Sequence, residues 1–319
     1  MKRLLTGIKP TGSIHIGNYF GAIQQVLNMQ DQYECYIFVP DIHALNQIQD
    51  PALLRSIILE ITKAYLAVGI DPNRTILYQQ SHLPNAELAT ILASSTSLGL
   101  LERSHAFKDA QAKSKAVNAG LFFYPVLMAA DILLFQAEVV PVGEDQRQHL
   151  EIAREIAERF NHVYGQTFVL PQAVHAPEVP TIKGIDGQKM SKSYNNVIGL
   201  FDAPDVVTKK VMQITTDSKR PEEPKDTSDT LFSLYQLVAK PEDLTVMRDA
   251  YLNGGMGYKE AKDRLAVALN LFLDPLRAKK AELDQNEDYV RDTLKSGAEK
   301  ARKVATVTMD DVYRKTGLI

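Results

Sequence analysis

Arg3-Leu4-Leu5-Thr6, then Gly7-Ile8-Lys9-Pro10-Thr11-Gly12-Ser13-Ile14-His15-Ile16-Gly17-Asn18, is a short apolar run followed by a glycine- and proline-rich segment. An amphipathic stretch continues from about Asn18 to Gln30. Strand, loop and helix in that order make a βα unit, and a parallel sheet is the architecture such units build. Glycines let a backbone approach a ligand closely, and a helix starting near Asn18 turns unpaired N–H groups and a positive dipole end toward an anion. The same spelling also fits a plain βα turn with a helix-capping Asn. Neither G-x-G-x-x-G nor G-x-x-x-x-G-K-[ST] occurs, which excludes the two commonest phosphate loops.

Working outward, Cys35–Val39 predicts a second buried strand. Pro51–Val68 predicts a helix opened by Asp50 and Pro51 and closed by Gly69, and Thr75–Gln79 a third strand. From Pro84 to Phe135 helical periodicity replaces the strand signal, which predicts an inserted helical hairpin or pair. Glu138–Val142 returns to strand, Glu144–Phe160 to helix and Thr167–Leu170 to a short strand, before a loop from Pro171 to Lys189. After Asn196 the chain reads as mainly helical, with a polar break at Thr216–Asp229 and a glycine-rich turn at Gly254–Gly257. The fold class is therefore α/β: a parallel-sheet domain over residues 1–200 with a helical insertion at 84–135, then a helical domain over 201–319.

With 319 residues, 45% hydrophobic and 24% charged, the chain has a globular composition that excludes disorder. Its greasiest run, Leu121–Phe135, contains Pro125 and Asp131 and falls short of the ~18 uncharged residues of a membrane helix. A soluble protein without a signal peptide is expected, and a lone Cys35 suits a reducing cytoplasm. The 36 basic residues are outnumbered by 39 acidic ones, so any nucleic acid must bind through local patches. Seven histidines show no metal-ligand spacing, and H-E-x-x-H and G-x-S-x-G are absent, so no protein-held metal and no metallohydrolase or serine-hydrolase chemistry is expected.

A second segment with chemical potential is Lys189-Met190-Ser191-Lys192-Ser193, preceded by Gly184-Ile185-Asp186-Gly187-Gln188. Two lysines and two hydroxyls on a glycine-hinged loop can close over a polyphosphate and neutralise charge developing on a leaving pyrophosphate. Taken alone, such a loop reads equally as solvated surface.

The two segments in this order resemble the signatures of class I aminoacyl-tRNA synthetases, with His15-Ile16-Gly17-Asn18 in the place of the HIGH motif and KMSKS spelled in full. The resemblance is closest to the bacterial tryptophanyl branch. It continues through Val39–Ala44, Gln79–Ser81, Leu101–Arg103, Ala129–Leu133 and Pro141–Gln146. It implies a Rossmann-like catalytic domain and a helical anticodon-binding domain, ATP with Mg²⁺ as substrate complex, L-tryptophan and tRNA(Trp) as partners, and a homodimer meeting through the 84–135 insertion. His15, Asn18, Lys189 and Lys192 are implied as catalytic. ATP would meet Lys9, Pro10, Thr11, Gly17, Asn18, Gly143, Glu144, Asp145, Ile182, Lys189, Met190, Ser191, Lys192 and Ser193. Lys9 stands where many members have Gln.

For the amino acid the resemblance implies Leu5, Gly7, His43, Tyr124, Met128, Asp131, Val140, Val142 and Gln146. Tyr124, Met128, Asp131 and Phe135 fall at helical spacing, giving one face an aromatic, a thioether and a single carboxylate. A carboxylate on an apolar face must be paired. By resemblance Asp131 accepts the indole N–H; a partner within the protein, such as a backbone amide or Arg147, is the other reading. Met128 reads equally as core. The rival plans are a tyrosyl enzyme, a small nucleotidyltransferase and a non-charging paralogue.

Overall fold

The computed structural model describes residues 1–7, 14–104, 107–108, 118–141, 147–174 and 181–319. Five parallel strands lie in the order β3-β2-β1-β4-β5. They are β1 (Arg3–Gly7), β2 (Glu34–Val39), β3 (Thr75–Gln79), β4 (Val139–Pro141) and β5 (Gln172–Val174). The register pairs Leu5 with Tyr36, Ile37 with Leu77, Leu4 with Val139 and Val140 with Ala173. The strand order reverses direction at β1, and ligand sites of open α/β sheets lie at the carboxyl ends of strands around such a switch point.

The helices are α1 (Ile16–Asn18), α2 (Gln24–Met29), α3 (Asp41–Ala44), α4 (Pro51–Ala67), α5 (Asn85–Ala93), α6 (Leu98–Glu102) and α7 (Ala119–Leu133). They continue as α8 (Arg147–Tyr164), α9 (Pro204–Met212), α10 (Thr230–Val238), α11 (Pro241–Asn253), α12 (Tyr258–Asp284) and α13 (Glu287–Thr316). The Asp50 side chain caps α4 as its sequence suggests, accepting from Ala52 N at 2.8 Å. Between α1 and α2 the chain widens into a π-helical turn, Tyr19–Ile23, where one regular helix is expected. There the consecutive aromatics Tyr19 and Phe20 both reach Phe272, at 5.4 and 5.3 Å between ring centroids.

The chain forms two compact units, one of Met1–Gly12, Asn28–Pro177 and Asn286–Ile319, the other of Ser13–Leu27 and Glu178–Gln285. This partition differs from a division at residue 200, and α13 supplies the reason. Its backbone lies directly on β3: a β-carbon on Gly297 would run into the Leu77 carbonyl. Ala298, Ala301, Ala305, Met309 and Val312 of the same helix are buried in the first unit's core with Leu5, Tyr36, Tyr78, Phe135 and Phe160.

The strand expected at Thr167–Leu170 does not form; β5 begins at Gln172. Side-chain amides take the backbone groups a ladder would need. Asn161 Oδ1 accepts from Thr167 N at 2.9 Å and Phe168 N at 2.8 Å, while Gln136 donates to Thr167 O and accepts from Val169 N. No helix among the described residues is long and apolar enough to cross a membrane.

Candidate active site

In the second unit His15 sits on an extended segment that pairs antiparallel with Gly199; Leu200 N donates to Ile14 O at 2.9 Å and Ile16 N to Ile198 O at 3.0 Å. Asn18 folds back so that its Oδ1 accepts from the His15 backbone N–H at 3.2 Å. Gly17 carries no side chain for a reason. A β-carbon there would lie 2.9 Å from His15 Nδ1 and 3.3 Å from Met190 Cβ, so glycine lets the lysine loop pack against the His15 turn. The two segments that the sequence keeps about 170 residues apart, Gly17 and Met190, are neighbours.

The loop itself is a small hairpin. Lys183 pairs with Lys189, Met190 N donates to Ile182 O at 2.8 Å, and Gly187 takes the left-handed φ of 81° at the turn. Met190 is buried, whereas Lys189, Lys192 and Ser193 are exposed and Ser191 is half-buried. Asn196, 1% exposed, ties the hairpin to its own exit. Its Oδ1 accepts from Ser191 N at 2.8 Å, and its Nδ2 donates to Asp186 Oδ1 at 2.7 Å and Lys189 O at 3.1 Å. Gly184 makes room for it, since a β-carbon there would overlap the Asn196 amide.

Burial, and secondarily the positive charge of Lys192, push the His15 imidazole down to about 4. Partial burial likewise lowers the Lys192 ammonium below its usual range. His15 is therefore a neutral hydrogen-bonding group at pH 7. Below pH 6.5 the unfolded chain binds a proton that the folded one refuses, so stability falls with pH from there and the loss levels off near 4. Between pH 7.5 and pH 5 the wild type should lose about 2 kcal/mol more than His15→Gln. Urea unfolding at both pH values measures this, and equal losses would mean that the imidazole is protonated in the folded chain.

The first unit holds the amino-acid candidates. Asp131 on α7, 1% exposed, meets donors from three other segments. Its Oδ2 is 2.8 Å from His43 Nε2 of α3, and its Oδ1 accepts from Gln80 Nε2 and Asn85 Nδ2, each at 2.7 Å. The His43 and Tyr124 rings meet edge to face at 4.8 Å, and Tyr124 lies one helical turn from Met128, O–H to Sδ 3.9 Å. Leu5 and Val140 are buried in the core cluster, and Met128 packs against it. Gly7 allows β1 to close on β2, because a β-carbon would sit 2.9 Å from the Phe38 ring.

A family model described as tRNA synthetases class I (W and Y) matches residues 1–274. The chain belongs to that family. It is 46% identical over 318 residues to the tryptophan–tRNA ligase of Rhodopirellula baltica, covering 99% of both chains. It is 42% identical over 321 residues to that of Fusobacterium nucleatum, covering 100% of this chain and 99% of the relative. The crystal structure of Campylobacter jejuni tryptophanyl-tRNA synthetase complexed with ADP and tryptophan superposes with a TM-score of 0.94 at 41% identity, over 99% of each chain. A tyrosyl-tRNA synthetase from Archaeoglobus fulgidus shares the fold, with a TM-score of 0.68 at 22% identity.

The structure brings together His15, Gly17, Asn18, Ile182 and Lys189–Ser193 in one unit of this family member, and His43, Tyr124, Met128 and Asp131 in the other. Lys9, Pro10, Thr11, Val142, Gly143, Glu144, Asp145 and Gln146 lie outside the described residues. Among the described residues no group of three or more His, Cys, Asp or Glu side chains could hold a metal. Sequence reasoning assigned no role to Asn196, Gln80 or Asn85. For Gln80 a signal existed: it directly follows the carboxyl end of β3, where open α/β sheets place ligands.

Proposed function

We propose that this chain activates L-tryptophan with ATP and then charges tRNA(Trp). The observation that carries the reading is the joining of the two signature segments, with Met190 against Gly17 and the Lys192 charge acting on a buried, neutral His15. A tryptophan carboxylate oxygen attacks the α-phosphorus of ATP, the bond to the β-phosphate oxygen breaks, and pyrophosphate leaves with Mg²⁺. The 2′-OH of the terminal adenosine then attacks the acyl carbon, and AMP departs. No protein nucleophile is needed; positioning and neutralisation of the leaving group are the protein's contribution.

Lys189 and Lys192 meet the phosphates. His15 Nδ1 is buried and without a partner among the described residues; by the family resemblance His15, Gly17, Asn18, Lys9, Pro10 and Thr11 bind ATP. Gly143–Asp145 and Ile182 hold the adenosine. Asp131 accepts the indole N–H beside His43 and Tyr124, with Met128, Leu5, Gly7, Val140, Val142 and Gln146 around the substrate. Helices of the 201–319 stretch read the anticodon, in the cytoplasm. Amino-acid-dependent ATP–pyrophosphate exchange with all twenty amino acids tests this: tryptophan alone should support rapid exchange, and equal exchange with tyrosine would move the assignment to the tyrosyl enzyme.

Dimerisation through the 84–135 insertion is part of the same reading. Leu88, Ala89, Leu92, Leu100 and Leu101 are covered by the chain's own core and need no second subunit. Among its described residues, the insertion offers a partner Leu98, 67% exposed, and the partly exposed run Leu121-Phe122-Phe123. Sedimentation at micromolar concentration should give about twice the 35.6 kDa chain mass, and a clean monomer would refute the interface.

A further inference from the structure

Asp131 is not simply a carboxylate in an apolar slot; its hydrogen-bonding capacity is partly filled in a defined way. A carboxylate oxygen has two lone-pair sites. Both sites of Oδ1 are taken, one by Gln80 Nε2 and one by Asn85 Nδ2, each at 2.7 Å. Oδ2 receives His43 Nε2 at 2.8 Å and keeps one site. Gln80 and Asn85 are fully buried, and Gln80 is itself fixed because its Oε1 accepts from the Ile42 backbone N–H at 3.1 Å. The two amides reach Asp131 from different segments, the short turn after β3 and the first residue of α5.

We infer that Gln80 and Asn85 are specificity-positioning residues: by saturating Oδ1 they leave Asp131 a single acceptor site, on Oδ2 next to His43, which suits an aromatic substrate carrying one ring N–H. The inference rests on the reading of this site as the tryptophan pocket. Removing either amide frees a lone pair on Oδ1 and releases the carboxylate to rotate, so the indole acceptor loses its fixed direction. Binding of a ring N–H weakens, and a ring without that N–H has little to lose. Such a site rejects an analogue lacking the hydrogen-bonding group because its polar atoms are left unpaired, and a misaimed site rejects it less.

The test compares tryptophan with its benzothiophene analogue, in which sulfur replaces the ring N–H, in ATP–pyrophosphate exchange by the full-length protein. Gln80→Met keeps the unbranched form and Asn85→Leu the branching of the residue replaced, and the two positions reach Asp131 from separate segments, so each is an independent trial. In each folded variant the tryptophan-over-analogue ratio of kcat/KM should fall by about tenfold or more. The change should lie in the KM for tryptophan, with the KM for ATP unchanged. A ratio equal to that of the wild type, whatever the loss of thermal stability, overturns the inference and leaves the two amides as core supports. If the wild type itself fails to use tryptophan, the pocket reading falls and this inference with it. A wild type that selects tryptophan, beside variants that select it equally well, removes the inference alone.

Discussion

Asp131→Ala should lose selection for tryptophan over phenylalanine by as much as ~10⁴-fold, and in the same molecule lose about 3–5 kcal/mol of stability. Both effects follow from one carboxylate serving two sets of donors. Toward the protein, its removal strands the N–H groups of His43, Gln80 and Asn85 in a site where all four side chains are 5% exposed or less. Toward the substrate, on the proposed reading of this pocket, the remaining Oδ2 site is the acceptor that a phenyl ring cannot use, so without it selection rests on ring shape. Stability loss by itself therefore does not separate the two readings of Asp131, because the structure requires it under either. Exchange kinetics with the two amino acids at a temperature where the variant is folded does separate them. Retained discrimination in a destabilised but folded variant would make Asp131 a structural anchor only.

The parts of the fold legible in the sequence are those in which local pattern and tertiary environment agree. β3 runs from Thr75 to Gln79 as its apolar, turn-bounded run predicts, and α4 starts at Pro51 behind an Asp cap. Illegible parts depend on partners outside the local repeating pattern. Thr167–Leu170 has strand composition, but Asn161 and Gln136 occupy its backbone groups. Helicity after residue 200 is plain to read, whereas the return of α13 to β3 turns on one glycine, Gly297, whose meaning lies in the Leu77 carbonyl 220 residues away.

The candidate site divides the same way. Its charged and glycine-bearing motifs stand out by spelling, and the family resemblance orders them. Its supporting amides do not, because Gln80 and Asn85 reach Asp131 from remote segments and Asn196 bonds three groups of its own loop, and neither arrangement leaves a periodicity behind. A buried amide with several protein partners is recognisable only after folding. This is why the carboxylate was visible in the sequence and the groups that aim it were not.

Lys192→Ala should cut the rate of adenylate formation by about 10²–10³, the ~3–4 kcal/mol that one preorganised charge contributes to a transition state, with a modest change in the KM for ATP. The loop is built to hold this ammonium from outside the core. Buried Met190 and Asn196 anchor it on either side, while Lys192 opens the short 3₁₀ turn Lys192–Tyr194 in an exposed position. Its influence on His15 sets it beside the other signature segment, and burial of His15 keeps that neighbour uncharged at neutral pH, so the lysine supplies positive charge there without competition from an imidazolium. Charge on the bridging oxygen grows as pyrophosphate departs, so an ammonium aimed at it stabilises the transition state more than bound ATP, and its loss appears in turnover. Tryptophan binding in the absence of ATP should be untouched, since on the proposed reading the loop meets ATP and Asp131 meets the amino acid. Pre-steady-state measurement of adenylate formation at saturating ATP is decisive: a normal rate with only a raised KM would make Lys192 a ground-state binding contact and remove it from the chemical step.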